Sequence, residues 1–137
     1  MKLNWKNNLF LYVSILTYLV SLILPVHFIF DNPEEYSGYI YAYVGWMAFP
    51  YLDFFCWLGN FTLLLSWIFY KKKIGLILGI IAVIQMSLYE INHLTRLDIL
   101  QIHEYDLPHF GYWIWLFSSI FVLIYHYKKY KLKSQTL

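Results

Sequence analysis

Charged side chains are scarce in this sequence. Asp, Glu, Lys and Arg make up 13% of its 137 residues, whereas hydrophobic side chains make up 61% and aromatic ones 23%. Soluble globular domains carry about 25% charged residues, so this composition disfavours a soluble fold. The length suits one domain, and the excess of apolar residues indicates a protein that folds in lipid.

Cysteine is also nearly absent. Cys56 is the single thiol, which excludes an intrachain disulfide framework. It lies in an apolar run, where we expect it to fill space as a small apolar side chain. Ser118 and Ser119 are expected to bond the backbone of their own helix. None of these nucleophiles has a convincing base beside it, so the sequence favours a non-enzymatic protein.

Four apolar runs are long enough to consider as membrane spans, for which a helix needs about 20 residues. They cover residues 9–30, 51–70, 74–94 and 110–127. The third run is uniformly apolar or small only to about Tyr89, so a comfortable crossing brings Glu90 and His93 to the edge of the membrane. The sequence therefore predicts an all-α polytopic protein, a four-helix antiparallel bundle that forms a single transmembrane domain over residues 1–137.

The cationic residues lie almost entirely on one side of this arrangement. Lysines precede the first run, join the second to the third at residues 71–73, and follow the fourth, while Arg96 lies on the other side. Because cytoplasmic loops hold the excess of Lys and Arg, both termini are predicted to be cytoplasmic. The lysines then determine topology, and no nucleic-acid partner is expected.

The first outer loop is rich in aromatic residues. Tyr36, Tyr39 and Tyr43, followed by Trp46, recur at helical spacing, although Tyr39, Tyr41 and Tyr43 also alternate as in a strand. In either conformation, the segment should lie at the membrane interface, where Tyr and Trp keep a ring in lipid and a polar tip in water. It would serve either as an aromatic belt or as a ligand-binding lid.

Two features predict contacts between the helices. Asn60 and Gln85 lie at matching depths in the second and third runs, counted from the inner ends at about 1.5 Å per residue. We therefore expect a hydrogen bond between the two amides. Gly75 and Gly79 form a G-x-x-x-G pair, which predicts close packing of the third helix.

The same depth estimate brings titratable side chains from all four spans into one outer layer. These are His27, Asp53, Glu90, His93 and His109. Glu90 and His93 form an E-x-x-H spacing, which places a carboxylate and an imidazole on one helix face as in helical metal sites.

Three interpretations of this layer remain open. With His27, His103 or His109, the E-x-x-H pair could complete a site for zinc or another divalent ion. Asp53, Glu90 and the histidines could instead form part of a proton or ion path. The third interpretation places all of them in solvent at the interface, with Arg96 in weak surface pairs.

Three short stretches carry a resemblance to a known class of protein. They are Leu24-Pro25, Trp57-Leu58-Gly59-Asn60 and Gly111-Tyr112-Trp113-Ile114-Trp115-Leu116-Phe117-Ser118. In these stretches the chain resembles small bacterial four-span membrane proteins that have no assigned activity. The resemblance implies a bacterial inner-membrane location.

The loops are too short to hold a soluble catalytic domain, yet they offer an aromatic and polar surface on the outer side. Its candidate residues are Tyr36, Tyr39, Tyr43, Trp46, Arg96 and Asp98. We therefore expect an accessory subunit or immunity-type protein, embedded in the bilayer, whose partner is another membrane protein or a second copy. The alternative is a metal-binding or proton-coupled transport protein that uses the Glu/His layer.

Overall fold

The computed structural model describes residues 5–27, 36–100 and 110–134, and it is mostly helical, in agreement with the predicted all-α class. The helices are α1 (Trp5–Ile23), α2 (Gly38–Val44), α3 (Leu52–Trp57), α4 (Gly59–Ile68), α5 (Lys73–Leu100) and α6 (Phe110–Ser134), with a 3₁₀ turn at Gly45–Ala48 between α2 and α3. Two short strands, β1 (Pro25–His27) and β2 (Tyr36–Ser37), pair antiparallel.

Two helical segments are long and apolar enough to cross a membrane. They are Lys73–Ile91 in α5 and Phe110–Lys131 in α6. Two further apolar helical stretches, Asn8–Ile23 and Leu52–Ile68, are shorter. The two long segments indicate membrane association.

The first helix ends earlier than the apolar run that predicts it. That run continues to Phe30, but α1 stops at Ile23 and β1 begins at Pro25. Proline lacks the N–H that a helix interior requires, and it disfavours helical dihedral angles at the residue before it. Pro25 therefore ends the helix, and the chain continues from it as β1.

The second apolar run is divided between α3 and α4 at Leu58. Leu58 keeps right-handed helical dihedral angles (φ −58°, ψ −17°), which are close to those of a 3₁₀ helix. Nearby, the Asn60 side chain donates to the Trp57 carbonyl (3.0 Å) and the Thr62 hydroxyl donates to the Gly59 carbonyl (3.1 Å). Such local side-chain bonds compete with the regular helical ladder, and they accompany a turn at Leu58, where the Leu58 amide still donates to the Phe54 carbonyl (3.0 Å) and the Thr62 amide to the Leu58 carbonyl (3.1 Å).

The long helices are antiparallel neighbours. α1 lies against α6, where the Phe10 and Phe121 rings meet at 6.5 Å and Ser14 bonds the Ser118 carbonyl. α4 lies against α5, and α5 against α6. A buried apolar cluster joins the four helices, and its members are Leu11, Tyr18, Leu63, Ala82, Met86, Val122 and Tyr125.

The buried serine hydroxyl groups of the bundle are hydrogen-bonded, whereas the buried Tyr130 hydroxyl has no hydrogen-bond partner among the described residues. The Ser14 hydroxyl donates to the Ser118 carbonyl (2.6 Å) and accepts from Trp67 Nε1 (2.9 Å), which ties α1 to both α6 and α4. Ser118 and Ser119 bond the Trp115 and Leu116 carbonyls of their own helix, as predicted. Polar groups in an apolar interior must find such partners within the protein.

The two ends of the bundle differ in chemistry. One end, which we call the lysine end, carries Lys71, Lys72, Lys128, Lys129 and Lys131, and Lys129 Nζ donates to the Tyr70 carbonyl (2.6 Å). The opposite end, which we call the cap end, carries α2 and the 3₁₀ turn. We refer to residues 38–48 as the cap.

Candidate functional site

The cap is a helical segment that lies against the end of α1. Of the helical and extended conformations that the Tyr36–Trp46 pattern allows, the helical one forms from Gly38 onward. The Gly38 amide donates to the Leu24 carbonyl (3.0 Å), and a Cβ at Gly38 would overlap the Ser21 carbonyl oxygen. Glycine therefore permits the close approach of α2 to α1.

Trp57 of α3 holds the other side of the cap. Its indole Nε1 donates to the Ala42 carbonyl at 2.8 Å, and its ring lies so close to Gly45 that a Cβ there would overlap it. The Phe54 ring stacks on Trp57 with 5.7 Å between centroids. These contacts join the cap to the bundle on two sides, so its geometry is fixed by the fold.

A cavity of about 300 Å³ lies beneath the cap. Its walls come from α1, the cap, α3, α4, α5 and α6, and they are mostly apolar or aromatic. The aromatic side chains in the wall are Tyr41, Trp57, Tyr89, Tyr112 and Trp115, and the described carboxylate in the wall is Asp53. The cavity therefore joins an aromatic enclosure to one acidic group.

Hydrogen bonds orient the aromatic rings of this cavity. Trp115 Nε1 donates to Asn60 Oδ1 (2.8 Å), and Asn60 Nδ2 in turn donates to the Trp57 carbonyl. The Tyr112 hydroxyl donates to the Met86 carbonyl (3.1 Å). The polar atoms of Trp57, Trp115 and Tyr112 are thus bound to the protein, and the apolar part of each side chain contributes to the cavity wall.

Asn60 and Gln85 do not bond each other, although their matching depths predict that they do. Asn60 bonds Trp115, whereas Gln85 accepts from the Thr62 hydroxyl (2.7 Å) and donates to the Phe55 carbonyl (3.2 Å). Counting residues gives the height of a side chain but not its rotation about the helix axis. Each amide still makes a contact between helices, with a different partner from the one predicted.

The structure describes only part of the predicted Glu/His layer. Asp53 lies in the cavity wall, and Glu90 Oε2 is buried in α5. For five more of the predicted residues the structure describes the backbone but not the side chain. They are His27 in β1, Tyr36 in β2, and His93, Arg96 and Asp98 in α5. His103 and His109 lie outside the described residues. Among the side chains that the structure describes, no three of His, Cys, Asp or Glu form a group that could hold a metal. Zinc binding and proton transfer by this layer stay predictions.

The predicted outer interaction surface is described at three of its aromatic positions. Tyr39, Tyr43 and Trp46 are 59%, 80% and 57% exposed. Met47, Phe49 and Tyr51 continue the exposed surface at the end of the cap and just after it. The cap therefore presents a set of large side chains to its surroundings.

His126 is a buried polar residue that the sequence pattern did not single out. It is fully buried in α6, and its Nε2 lies 3.3 Å from the Ser66 hydroxyl oxygen. Because the Ser66 hydroxyl already donates to the Gly75 carbonyl (2.7 Å), Nε2 of His126 is the donor in this contact. His126 lies one helical turn after Val122 and two after Ser119, so the buried helix face was the signal that could have identified it.

The Ser66 and His126 pair does not form a hydrolytic site. Both side chains are fully buried, and the Ser66 proton is engaged by the backbone of α5. A nucleophile must be reachable and deprotonated by its base. The pair is a packing and hydrogen-bonding contact between α4, α5 and α6.

Comparisons of the chain with protein-family models, with curated proteins and with solved structures return no match.

Proposed function

We propose that the protein crosses the membrane four times, with both termini in the cytoplasm. The two shorter apolar stretches support this arrangement, because α1 runs antiparallel along α6, and α4 along α5. A helix that packs along a spanning helix occupies the same slab of lipid. The lysine end then lies in the cytoplasm, where Lys and Arg accumulate, and the cap end lies outside.

We further propose a bacterial inner-membrane location. The resemblance of Leu24-Pro25, Trp57–Asn60 and Gly111–Ser118 to small bacterial four-span proteins supports it. In such a membrane, the cap faces the periplasm or the external medium, and the exposed Tyr and Trp side chains lie at the depth where the interface accepts them.

The protein's function, we infer, is to bind another membrane protein without catalysing a reaction, as an accessory subunit or an immunity-type partner. The observation that carries this proposal is the cap, in which Tyr39, Tyr43 and Trp46 are exposed on a segment fixed to the bundle. Tyr and Trp supply much of the binding energy at protein interfaces. A rigid surface also loses little conformational freedom on binding.

An aromatic belt is the competing explanation for the same residues. A belt needs only that Tyr and Trp reach the interface, and no specific geometry between them. The cap has a specific geometry, since Trp57 bonds its backbone and Gly38 and Gly45 allow it to seat closely. That geometry favours recognition over simple anchoring.

The test is native mass spectrometry of the protein extracted from its host membrane in a mild detergent, with a tag at the C-terminus. We expect a heavier assembly of fixed stoichiometry, and we expect the double variant Tyr43→Ala, Trp46→Ala to lower its yield about tenfold, as the loss of two interface aromatic residues should. Phe117→Ala is the matched control, because Phe117 is an exposed ring on α6 away from the cap.

A partner-free monomer, seen under conditions that keep other membrane complexes intact, would contradict the proposal. So would an assembly that the Phe117 variant disrupts as strongly as the cap variant does, because that result would assign the contact to the lipid-facing helices.

A further inference from the structure

The cavity beneath the cap is a separate feature from the exposed cap surface. Its volume of about 300 Å³ falls at the lower end of the range for small-molecule sites. A site of this size accepts one ring or a compact branched group. Its walls come from every long helix and from the cap, so the fold itself forms the enclosure.

The walls offer ring surface, and most of the hydrogen-bond donors described in them are engaged within the protein. The indole nitrogens of Trp57 and Trp115 and the Tyr112 hydroxyl all donate to protein acceptors. Asn60 in the wall is likewise engaged through both atoms of its amide, and Ser21 donates to the Tyr18 carbonyl (2.7 Å). An anionic or strongly hydrogen-bonding ligand would find these donors already used.

The described residues that line the cavity include an acidic side chain and no basic one. Asp53 is acidic, and no Lys, Arg or His is present among the described residues that line the cavity. A carboxylate and neighbouring aromatic rings both attract a cation. The carboxylate does so through its negative charge, and each ring does so through its quadrupole. Aromatic enclosures of this kind recognise quaternary ammonium groups.

We propose that this cavity binds an organic ammonium ion, with its apolar substituents against the rings and its charge toward Asp53. Such a group could reach the cavity as part of a lipid headgroup or as a free molecule. The ammonium chemistry is common to both, and it is distinct from the protein contact made by the exposed cap. Neither proposal depends on the other.

The experiment is calorimetric titration of the purified protein in a nonionic maltoside detergent. The probe is benzyltrimethylammonium, and its neutral counterpart is neopentylbenzene, which has the same shape with carbon in place of nitrogen. We expect the cation to bind at least about tenfold more tightly than the neutral probe, on the strength of cation–aromatic and ion-pair attraction.

Substitutions at one position separate charge from shape. Asp53→Asn should lower the affinity for the cation about tenfold and change that for the neutral probe less than about twofold, because only the charge is removed. Asp53→Glu should retain most of the preference for the cation. Phe117→Leu, on the lipid-facing side of α6, is the control that should alter neither affinity.

A filling substitution tests the location of the site. Ala48 lies in the cavity wall within the 3₁₀ turn, and Ala48→Phe should lower the affinity for both probes at least about tenfold by occupying the space. Gel filtration and circular dichroism on each variant establish that it is folded before the titrations are compared.

The source of the ammonium group is read from competition with short-chain lipids. Displacement of the probe by dihexanoylphosphatidylcholine, but not by dihexanoylphosphatidylglycerol, would identify a headgroup ligand. Displacement by neither would identify a free ammonium compound. Equal affinity for the two probes, or an Asp53→Asn variant that binds the cation as well as the wild type, would overturn the proposal and leave an apolar cavity only. Absence of saturable binding by the wild type would also overturn it.

Discussion

Replacing Gly75 by alanine should lower the free energy of unfolding by about 1–3 kcal/mol, the range that overpacking of a tight interior costs. A Cβ at this position would overlap the Phe69 carbonyl oxygen and lie 2.8 Å from His126 Cε1. The Phe69 carbonyl belongs to the turn between α4 and α5, where it accepts from the Lys72 amide at 2.8 Å. Backbone in such a turn cannot move aside without losing that bond. Steric-trapping measurements in bicelles would give the change.

Gly79→Ala is the matched control within the same G-x-x-x-G pair. Its added Cβ would meet the Ser66 hydroxyl oxygen at 3.2 Å and a Val122 methyl group at 3.6 Å. The Val122 contact is ordinary, and the tighter Ser66 contact is to a side-chain atom that must shift by only a few tenths of an ångström. We therefore expect a smaller change than at Gly75, below about 1 kcal/mol. Equal losses for the two variants would mean that the turn does not set the spacing between α4 and α5.

His126→Ala should be the second strongly destabilising change, with a loss of about 2–5 kcal/mol, as for other large-to-small substitutions in an interior. The side chain is fully buried and contacts Ser66. Its removal leaves a void between α4, α5 and α6. The same unfolding measurement applies, and Tyr127→Ala is the control because Tyr127 is the next residue and is 65% exposed.

His126→Leu distinguishes packing from hydrogen bonding at this position. Leucine refills most of the volume but cannot bond the Ser66 hydroxyl. Because a buried polar contact in a membrane protein contributes about 0.6 kcal/mol on average, we expect His126→Leu to retain most of the stability. A loss as large as that of His126→Ala would show that the hydrogen bond is the stronger contribution.

The sequence predicts the helical elements well where a long apolar run is bounded by clear signals. Lys71 and Lys72 lie between α4 and α5, and the helix that starts at Lys73 continues beyond the third apolar run to Leu100. The close packing predicted from Gly75 and Gly79 is also confirmed. These features depend on residues that are close together in the sequence, so they can be predicted without the three-dimensional structure.

Features that depend on helix rotation could not be read from the same sequence. Asn60 faces Trp115 on α6 and Gln85 faces Thr62 on α4, although their heights alone suggested a pair. The apolar run from Leu52 to Ile68 also does not predict the interruption at Leu58, near which the Asn60 and Thr62 side chains donate to backbone carbonyls.

The candidate site was predictable in part. Asp53 was identified as an acidic residue near the outer surface, and Tyr39, Tyr43 and Trp46 as an aromatic segment there. That some of these residues lie around or beside a cavity was not predictable. The cavity depends on residues from every long helix and on small residues in the cap, among them Gly38, Ala42 and Gly45. A void is a property of the packed structure, and no short sequence pattern encodes it.

In the arrangement that we propose, the chain crosses the membrane four times and places the cap outside and the lysine end in the cytoplasm. Single cysteines at Tyr43, Lys72 and Lys131 test it, in a background in which the buried Cys56 is replaced by alanine. Each variant is treated in intact cells with a membrane-impermeant maleimide, and then again after permeabilisation. We expect Tyr43→Cys to be labelled in intact cells, and Lys72→Cys and Lys131→Cys only after permeabilisation. Labelling of Tyr43→Cys and Lys72→Cys from the same side would contradict the account, because the segment between them would then not cross the membrane.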